Sequence, residues 1–357
     1  EREVGFSAPR KHGHNVIGAI GAMLDGSSKA FIGLGGNFAR ATPDTALVAK
    51  ALASCELTVH IATKLNHSHL VPGRVAYLLP CLGRTEIDRN AAGKTQIVTV
   101  EDSMSMVHGS GGINKPASPE LRSEIAIIAG MAAATVGSDK VDWAALADDY
   151  DGIRALIERT IPGFAGYNAR VRRPRGFMLR NLAAERNFET VNGKANFSAD
   201  ALPEATEHQQ ARTKAGTFVL QTFRSHDQYN TTVYSLDDRY RGVFGRRDIL
   251  FMNERDMARL GHKEGDVVDI ATALQFARPD RVVQKLMLVR YALPDGCVAS
   301  YYPETQPLIA LEDHDPQSFT PSYKSIPVTV RPAAADLGSD RGVVRAGIVG
   351  HESKVPA

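Results

Sequence analysis

Cysteine is scarce in this 357-residue chain, with Cys55, Cys81 and Cys297 as the whole complement. They lie too far apart for a CxxC metal or redox motif and are odd in number. This points to a reducing compartment without disulfides, cytoplasmic in a cell, and excludes an iron–sulfur cluster bound wholly by this chain. Charge of one sign is lacking too: 42 basic residues stand against 40 acidic ones. No global field draws the chain to nucleic acid or a membrane surface, so a charged ligand must be held locally. No apolar run approaches the ~20 residues of a membrane helix. With 43% hydrophobic and 23% charged residues, the composition is that of a folded protein rather than a disordered one. The chain opens on Glu1 with neither a basic leader nor an apolar signal segment, and Lys11 to Leu24 already carries Val16, Ile17, Ile20 and Leu24 at helical spacing. The expectation is a piece of a longer chain, cut inside a folded region.

What is present divides into two textures. At roughly 100–200 residues per domain the length suits two domains or three. Up to about residue 135, short apolar runs at Lys29–Leu34, Leu57–Ile61, Val75–Leu79 and Gln96–Val100 alternate with helical or polar segments. That alternation predicts an α/β domain with a mainly parallel sheet. Thr42-Pro43-Asp44 reads as the start of a helix running to about Ser54, and further helices are expected over Glu120–Thr135 and Asp142–Thr160, the last burying Trp143, Leu146, Ile153, Leu156 and Ile157. Periodicity is lost over 161–215, where prolines, glycines and arginines at 170, 172, 173 and 175 suggest a connection between domains, with a small hairpin near Gly193. From 217 onward the pattern is strand-rich, with one short helix capped by Asn253 and a turn at Lys263–Asp266. The predicted order is an α/β domain over 1–165, a connection over 166–215, a β-barrel over 216–332 and a disordered tail over 333–357. No internal repeat is visible.

Several constellations could carry chemistry. Gly33-Leu34-Gly35-Gly36-Asn37 ends a strand, where glycines let backbone N–H groups approach a phosphate or heterocycle, although the spacing is not GxGxxG and a structural turn is an equal reading. The segment His60 to His69 follows the next strand and is dense in donors. His67 and His69, with His12 and His14, could ligate zinc, but no carboxylate or cysteine stands at ligand spacing with them. Glu86, Asp88, Glu101 and Asp102 could serve acid–base chemistry or simply cap loops. Ser103, Ser105 and His108 hint at a hydrolase, but GxSxG is absent. The densest polar element runs from Gln221 to Thr232 and offers Arg, His, Gln, Tyr and Asn to a flat heterocycle and a phosphate. Its few aromatics and near-neutral setting speak against nucleic acid.

Taken in order, FIGLGGNFARATPDT from Phe31, LTVHIATKLNHSHL from Leu57, LPCLGRTEID from Leu79, VEDSMSMVHGSGG from Val100, QTFRSHDQYNTTVYSLDDRYRGVFGRRD from Gln221 and PSYK from Pro321 resemble the C-terminal half of the molybdopterin-guanine-dinucleotide oxidoreductases. The likeness is to formate-dehydrogenase-like alpha subunits of the DMSO reductase superfamily, and it covers nearly the whole chain. It implies an α/β domain followed by a six-stranded double-psi-type β-barrel. It also implies a Mo-bis-MGD cofactor, held by Gly36 and Asn37 after the first strand, by Thr63, Lys64, Asn66 and Ser68 around the nucleotide, and by Arg224, Ser225, His226, Gln228, Tyr229 and Asn230 on the barrel. Tyr323 and Lys324 match the last contact, and Glu86 falls in a family loop. A departure lies at Gln306, where many relatives carry Asn; an amide survives.

In that family the 4Fe-4S cysteines and the metal-facing residue belong to the N-terminal half. The resemblance therefore implies that these residues shape a cofactor site but carry no catalytic or metal-binding residue of their own. The partners would be the N-terminal half, an electron-transfer partner and a small-molecule substrate, with formate as a candidate. Two other classes stay open: a non-catalytic molybdopterin-binding or scaffold protein, and a hydrolase using His108 with Ser105.

Overall fold

In the computed structural model, which describes residues 1–199, 201–202, 214–228, 234–273, 281–302 and 304–333, the first regular element is the helix α1 (Val16–Leu24). Asn15 caps it by accepting from the Gly18 amide. Then come β1 (Ala30–Leu34), α2 (Phe38–Ala41), α3 (Thr45–Ser54), β2 (Leu57–Ala62) and β3 (Val75–Pro80). β1, β2 and β3 form a parallel sheet with β2 in the middle. Ile20, Met23, Val48, Ala51, Leu52 and Leu311 make one buried cluster, against which Phe31 of β1 packs. The alternate residues of β1 and the β3 edge stay open: Ile32, Leu34, Val75, Tyr77 and Leu78 are all exposed.

Next in the chain are β4 (Val98–Glu101), β5 (Met106–Ser110), α4 (Glu124–Val136), α5 (Trp143–Asp148), α6 (Tyr150–Thr160), α7 (Tyr167–Arg170) and β6 (Phe177–Met178). β4 pairs antiparallel with β5, and β5 with β6. The run at Gln96–Val100 therefore does not extend the parallel sheet. A short apolar run signals a strand but carries no information about its partner. The helix expected over Asp142–Thr160 breaks at Asp149, whose carboxylate caps α6 through the Asp151 amide. Tyr150 and Arg154 are its buried residues, while the apolar positions expected inside are only half-buried. The stretch after 161 is more ordered than its lost periodicity suggests: Tyr167, Val171 and Phe177 bury themselves with Val107. At Gly193 there is a turn closed by Thr190, and no strand flanks it.

The remaining strands are β7 (Thr217–Phe223), β8 (Ile249–Met252), β9 (Val267–Thr272), β10 (Val282–Arg290), β11 (Cys297–Tyr301) and β12 (Ile326–Pro332), with α8 (Glu254–Arg259) after β8. They close into a six-stranded mixed barrel in the order β10-β8-β11-β7-β12-β9. The parallel pairs are β7 with β11 and β8 with β10; all others are antiparallel. Exchanging β7 with β10, β8 with β11 and β9 with β12 leaves every pairing unchanged, so the barrel has a two-fold internal topology of the double-psi type. The strands are buried on both sides because alternate residues serve two cores. Phe218, Leu220, Leu250, Met252, Ile270 and Leu288 belong to one cluster, and Ile249, Phe251, Ala299 and Tyr301 to another. Leu250→Ala is expected to lower the unfolding free energy by about 2–5 kcal/mol, read by urea denaturation, since its site cannot collapse around the lost methyls.

The chain falls into two compact units that are not contiguous in sequence. One comprises Glu1–His12, Ile61–Thr63 and Leu79–Ala201; the other comprises Gly13–His60, Lys64–Leu78 and the described part of Leu202–Ala357. The expected tail, apart from Ala333, lies outside the described residues.

Candidate functional site

β1 ends in Gly35 and Gly36 at φ 63° and 71°. Two successive left-handed residues are easy only for glycine, and they turn the chain directly into α2. Asn37 at the start of α2 is buried. Asn66, beyond β2, donates from Nδ2 to the Gly36 carbonyl at 2.8 Å, and Ser68 Oγ accepts from the Ala39 amide at 3.1 Å. The loops after β1 and β2 are thereby tied together. Asn66 Oδ1 accepts from the Ser68 amide and His69 Nδ1 accepts from the Asn66 amide, which closes a capping box. Asn66 and Ser68 thus spend their side chains on the loops, while Lys64 is exposed. Thr63 is exposed too and belongs to the other compact unit.

The histidines divide in the same way. His60 is buried, packs edge-on against His69 at 4.8 Å, and has its pKa pushed down by burial and by His69. Burial and the charge of Arg40 lower that of His67, against an opposing pull from Glu304. Among the described residues no group of three His, Cys, Asp or Glu is placed to hold a metal ion.

On the barrel side, three donors converge on one acceptor, the carbonyl of Ala41 at the end of α2. Tyr302 and Tyr323 donate from their hydroxyls at 2.9 Å each, and Gln306 from Nε2 at 3.0 Å. Burial pushes both phenol pKa values up, with Tyr302 adding to the shift at Tyr323, so both hydroxyls stay protonated donors. Gln306 is fully buried, and its Oε1 finds no donor among the described residues. Close by, the Lys324 ammonium donates to the Thr222 carbonyl. Burial and the charge of Arg224 both lower its pKa. The Arg224 side chain is exposed and meets no carboxylate among the described residues. Two cations thus lie near one another with no carboxylate counter-ion among the described residues.

Ser225 and Gln228 are buried, and both accept from the guanidinium of Arg247, at 3.0 and 2.9 Å. Arg247 also grips Glu304 with two bonds, 2.6 and 3.1 Å, donates to the Tyr302 carbonyl, and stacks over Tyr234 and Tyr301. His226 Nδ1 lies 3.1 Å from a carboxylate oxygen of the buried Asp238, which also accepts from Arg241 and the Tyr301 hydroxyl. Burial raises the Asp238 pKa, but the hydrogen bond and charge of Arg241, then His226 and Tyr301, hold it below the ordinary value. A lowered carboxyl pKa stabilises the fold above its unfolded value, and that gain is lost as pH falls through the folded value. Barrel stability is therefore expected to hold from pH 7 down to about 4 and then fall, with Asp238→Asn flattening that acid limb in urea titrations.

Sequence reasoning notes Arg239, Arg241, Arg246 and Arg247 as arginines that follow the dense polar element but gives them no role, and it passes over Glu304, Asp238 and Tyr302 as site residues, although Asp238 lies inside the stretch from Gln221 to Asp248. Tyr229 and Asn230 lie outside the described residues. Three of the four acids weighed for acid–base work, Glu86, Asp88 and Asp102, are structural ties. Glu86 accepts from the Gly83 and Ala117 amides at 2.6 Å each, Asp102 from the Met104 and Met106 amides, and Asp88 from the Tyr150 hydroxyl.

A turn of left-handed glycines leading into α2, a closed double-psi-type barrel whose neighbouring residues bond the end of that helix, and paired cations and a buried amide near those bonds suit the binding of a dinucleotide. Residues 218–327 match the family described as the Molydopterin dinucleotide binding domain, and the barrel β7–β12 is such a domain. An uncharacterized oxidoreductase of Mycobacterium tuberculosis (strain ATCC 25618 / H37Rv) is 48% identical over 340 residues, which is 94% of this chain and 43% of that protein. Protein YdeP of Escherichia coli (strain K12) is 46% identical over 332 residues, 92% of this chain and 43% of its own length. This chain thus spans less than half the length of these relatives. Among solved structures, acetylene hydratase from Pelobacter acetylenicus shares the fold with a TM-score of 0.59 at 14% identity, over 89% of this chain and 46% of that one.

The residues present fit a pterin dinucleotide. Arg224 and Lys324 would supply positive charge for phosphate oxygens, the Gly35-Gly36 turn leaves open space beside its backbone, and Gln306 Oε1 would accept from an exocyclic amino group.

Proposed function

We propose that this chain is the cofactor-binding part of a molybdenum or tungsten oxidoreductase of formate-dehydrogenase-like type. It would hold molybdopterin guanine dinucleotide in the bis-MGD form. The observation that carries the reading concerns the described residues: among them the Arg224 and Lys324 pair meets no carboxylate, and the buried amide oxygen of Gln306 finds no donor. When bound, the cofactor supplies two-electron redox chemistry at its metal. The chain's own residues do the holding. Arg224 and Lys324 offset phosphate charge, Tyr302 and Tyr323 fix α2 against the barrel through Ala41, and Arg247 locks the segment bearing Ser225 and Gln228.

Formate is the first substrate candidate. The 4Fe-4S cluster, the metal-facing residue and the docking of an electron acceptor are assigned to the part of the longer relatives that this chain does not span. The same part is the proposed partner for the open sheet. Parallel sheets are normally covered on both faces, yet Ile32, Leu34, Val75 and Tyr77 are exposed on β1 and β3. Three cysteines without a disulfide, Cys55 and Cys81 buried, support a reducing cytoplasmic setting. No described helix is long and apolar enough to cross a membrane.

The test is elemental analysis for molybdenum and tungsten together with the fluorescence of oxidised pterin, on the protein expressed from its whole reading frame. Stoichiometric metal and pterin support the reading. Pterin without metal turns it into the cofactor-binding scaffold, and absence of both overturns it.

A further inference from the structure

The arginine-rich segment from the last residue of α7 onward is not absorbed by the cofactor reading, and its members do different work. Arg170 lies over the Phe177 ring at 3.8 Å and donates to the Gly163 and Ala165 carbonyls. Arg172 grips both oxygens of Asp151 at 2.7 Å. Arg173 and Arg175 are exposed and have no side-chain partner among the described residues. They stand at the rim of a cleft of about 670 Å³ that also takes in Asp102, His108 and Gly109. Every lining residue belongs to the same compact unit.

The cleft is built rather than incidental. Gly176 at φ +68° brings its backbone so close to β5 that a Cβ there would fall 1.9 Å from the Val107 carbonyl oxygen. Arg175 itself sits at φ 67° and Ser105 at φ 62°, left-handed values that non-glycine residues adopt at a cost. At Gly109 a side chain would press on Ile97 at 3.1 Å, so glycine keeps the floor low beside His108. Asp102 is the one carboxylate in the lining, and both its neighbours' amides, Met104 and Met106, already bond it. The rim is thus net positive, and the volume is within the range of small-molecule sites. Among the lining residues none is Phe, Tyr or Trp, and His108 is the one ring there.

We propose that this cleft binds a compact polyanion, a small molecule with two or more phosphate or carboxylate groups, which Arg173 and Arg175 hold as a pair over His108. Guanidinium groups suit both oxyanions because their forked N–H donors match two oxygens at once. The site is separate from the residues assigned to the pterin cofactor and does not depend on that assignment.

The test is isothermal titration of the 357-residue chain at low salt with sodium pyrophosphate and, in parallel, with citrate, while following the His108 ring signals by NMR. Saturable binding of either anion with a shift at His108 is expected. Arg173→Ala and Arg175→Ala should each weaken it by about tenfold, whereas Arg180→Ala, which removes an arginine already paired with Glu185 outside the cleft, should leave it unchanged. Preference for pyrophosphate marks a phosphorylated ligand and preference for citrate a polycarboxylate. If neither anion binds, if Arg180→Ala weakens binding as much as the cleft variants do, or if His108 stays silent on saturation, the proposal is overturned. An acidic peptide that binds where both anions fail overturns it too. The NMR measurement on the unaltered chain decides the matter even where a variant does not fold.

Discussion

Arg247→Ala is expected to lower the unfolding free energy by about 3–5 kcal/mol, as removing one partner of a buried ion pair does. The Arg247 side chain is 5% exposed and that of Glu304 24%, so alanine would leave a largely desolvated carboxylate without its cation. It would also strip donors from Ser225 Oγ, Gln228 Oε1 and the Tyr302 carbonyl in one step, and each buried acceptor left unsatisfied adds a cost. Arg247→Lys should be intermediate, since an ammonium keeps the charge but cannot serve four acceptors from one plane. Removing Glu304 as well should recover part of the loss, because the uncompensated charge is then gone, and the double-mutant cycle isolates the pair. Urea denaturation of the chain measures all three. A loss under about 1 kcal/mol for Arg247→Ala would show that water replaces the guanidinium at little cost, and the segment from Ser225 to Gln228 would not depend on it.

Arg247 also shows where sequence reasoning stops. The strand limits were legible where local signals agree: the runs expected at Lys29–Leu34, Leu57–Ile61 and Val75–Leu79 are the strands Ala30–Leu34, Leu57–Ala62 and Val75–Pro80, because each apolar run ends at a glycine, a polar residue or a proline. Pairing was less legible. Nothing in Gln96–Val100 says that its partner is β5 rather than β2, because hydrogen-bonding along a strand edge is independent of side-chain identity. The same reason hides the barrel's two-fold topology. β7 and β10 occupy equivalent places, yet Thr217–Phe223 and Val282–Arg290 share no motif. At α3 the sequence pointed to Thr42 as cap. Instead Thr42 closes α2 through Phe38, and Asp44, at φ 57°, sends its carboxylate to Arg281 at 2.7 Å. A partner more than two hundred positions away outweighs a local capping preference. At the candidate site, the motifs marked the right neighbourhood but not each side chain's direction. Asn66, Ser68, Ser225 and Gln228 all have polar atoms satisfied by protein, so a polar residue in a cofactor motif can hold the wall instead of the ligand.

In the protein expressed from its whole reading frame, Arg224→Ala and Lys324→Ala are each expected to lower pterin and metal content at equal amounts of folded protein. Each would remove a charge-assisted bond worth about 1.5–3 kcal/mol, which corresponds to a loss of roughly ten- to hundredfold in affinity. The double variant should be close to empty. The two cations lie near enough for Arg224 to help lower the Lys324 pKa. That mutual repulsion is relieved when an anion arrives, so part of the binding energy comes from undoing a strain of charge already in the fold. The sign of the pH dependence follows. Bound phosphate favours the charged ammonium, so loading takes up a proton once pH rises above the lowered pKa of Lys324, and affinity falls through that range. Lys324→Arg, whose guanidinium stays charged, should flatten the alkaline fall while keeping the cofactor. Metal analysis and oxidised-pterin fluorescence across pH 7 to 10 read both effects, with circular dichroism confirming that the variants are folded. Full loading of both alanine variants, or an alkaline fall that Lys324→Arg leaves untouched, would place the phosphates away from this pair and withdraw the cofactor site from the junction of α2 and the barrel.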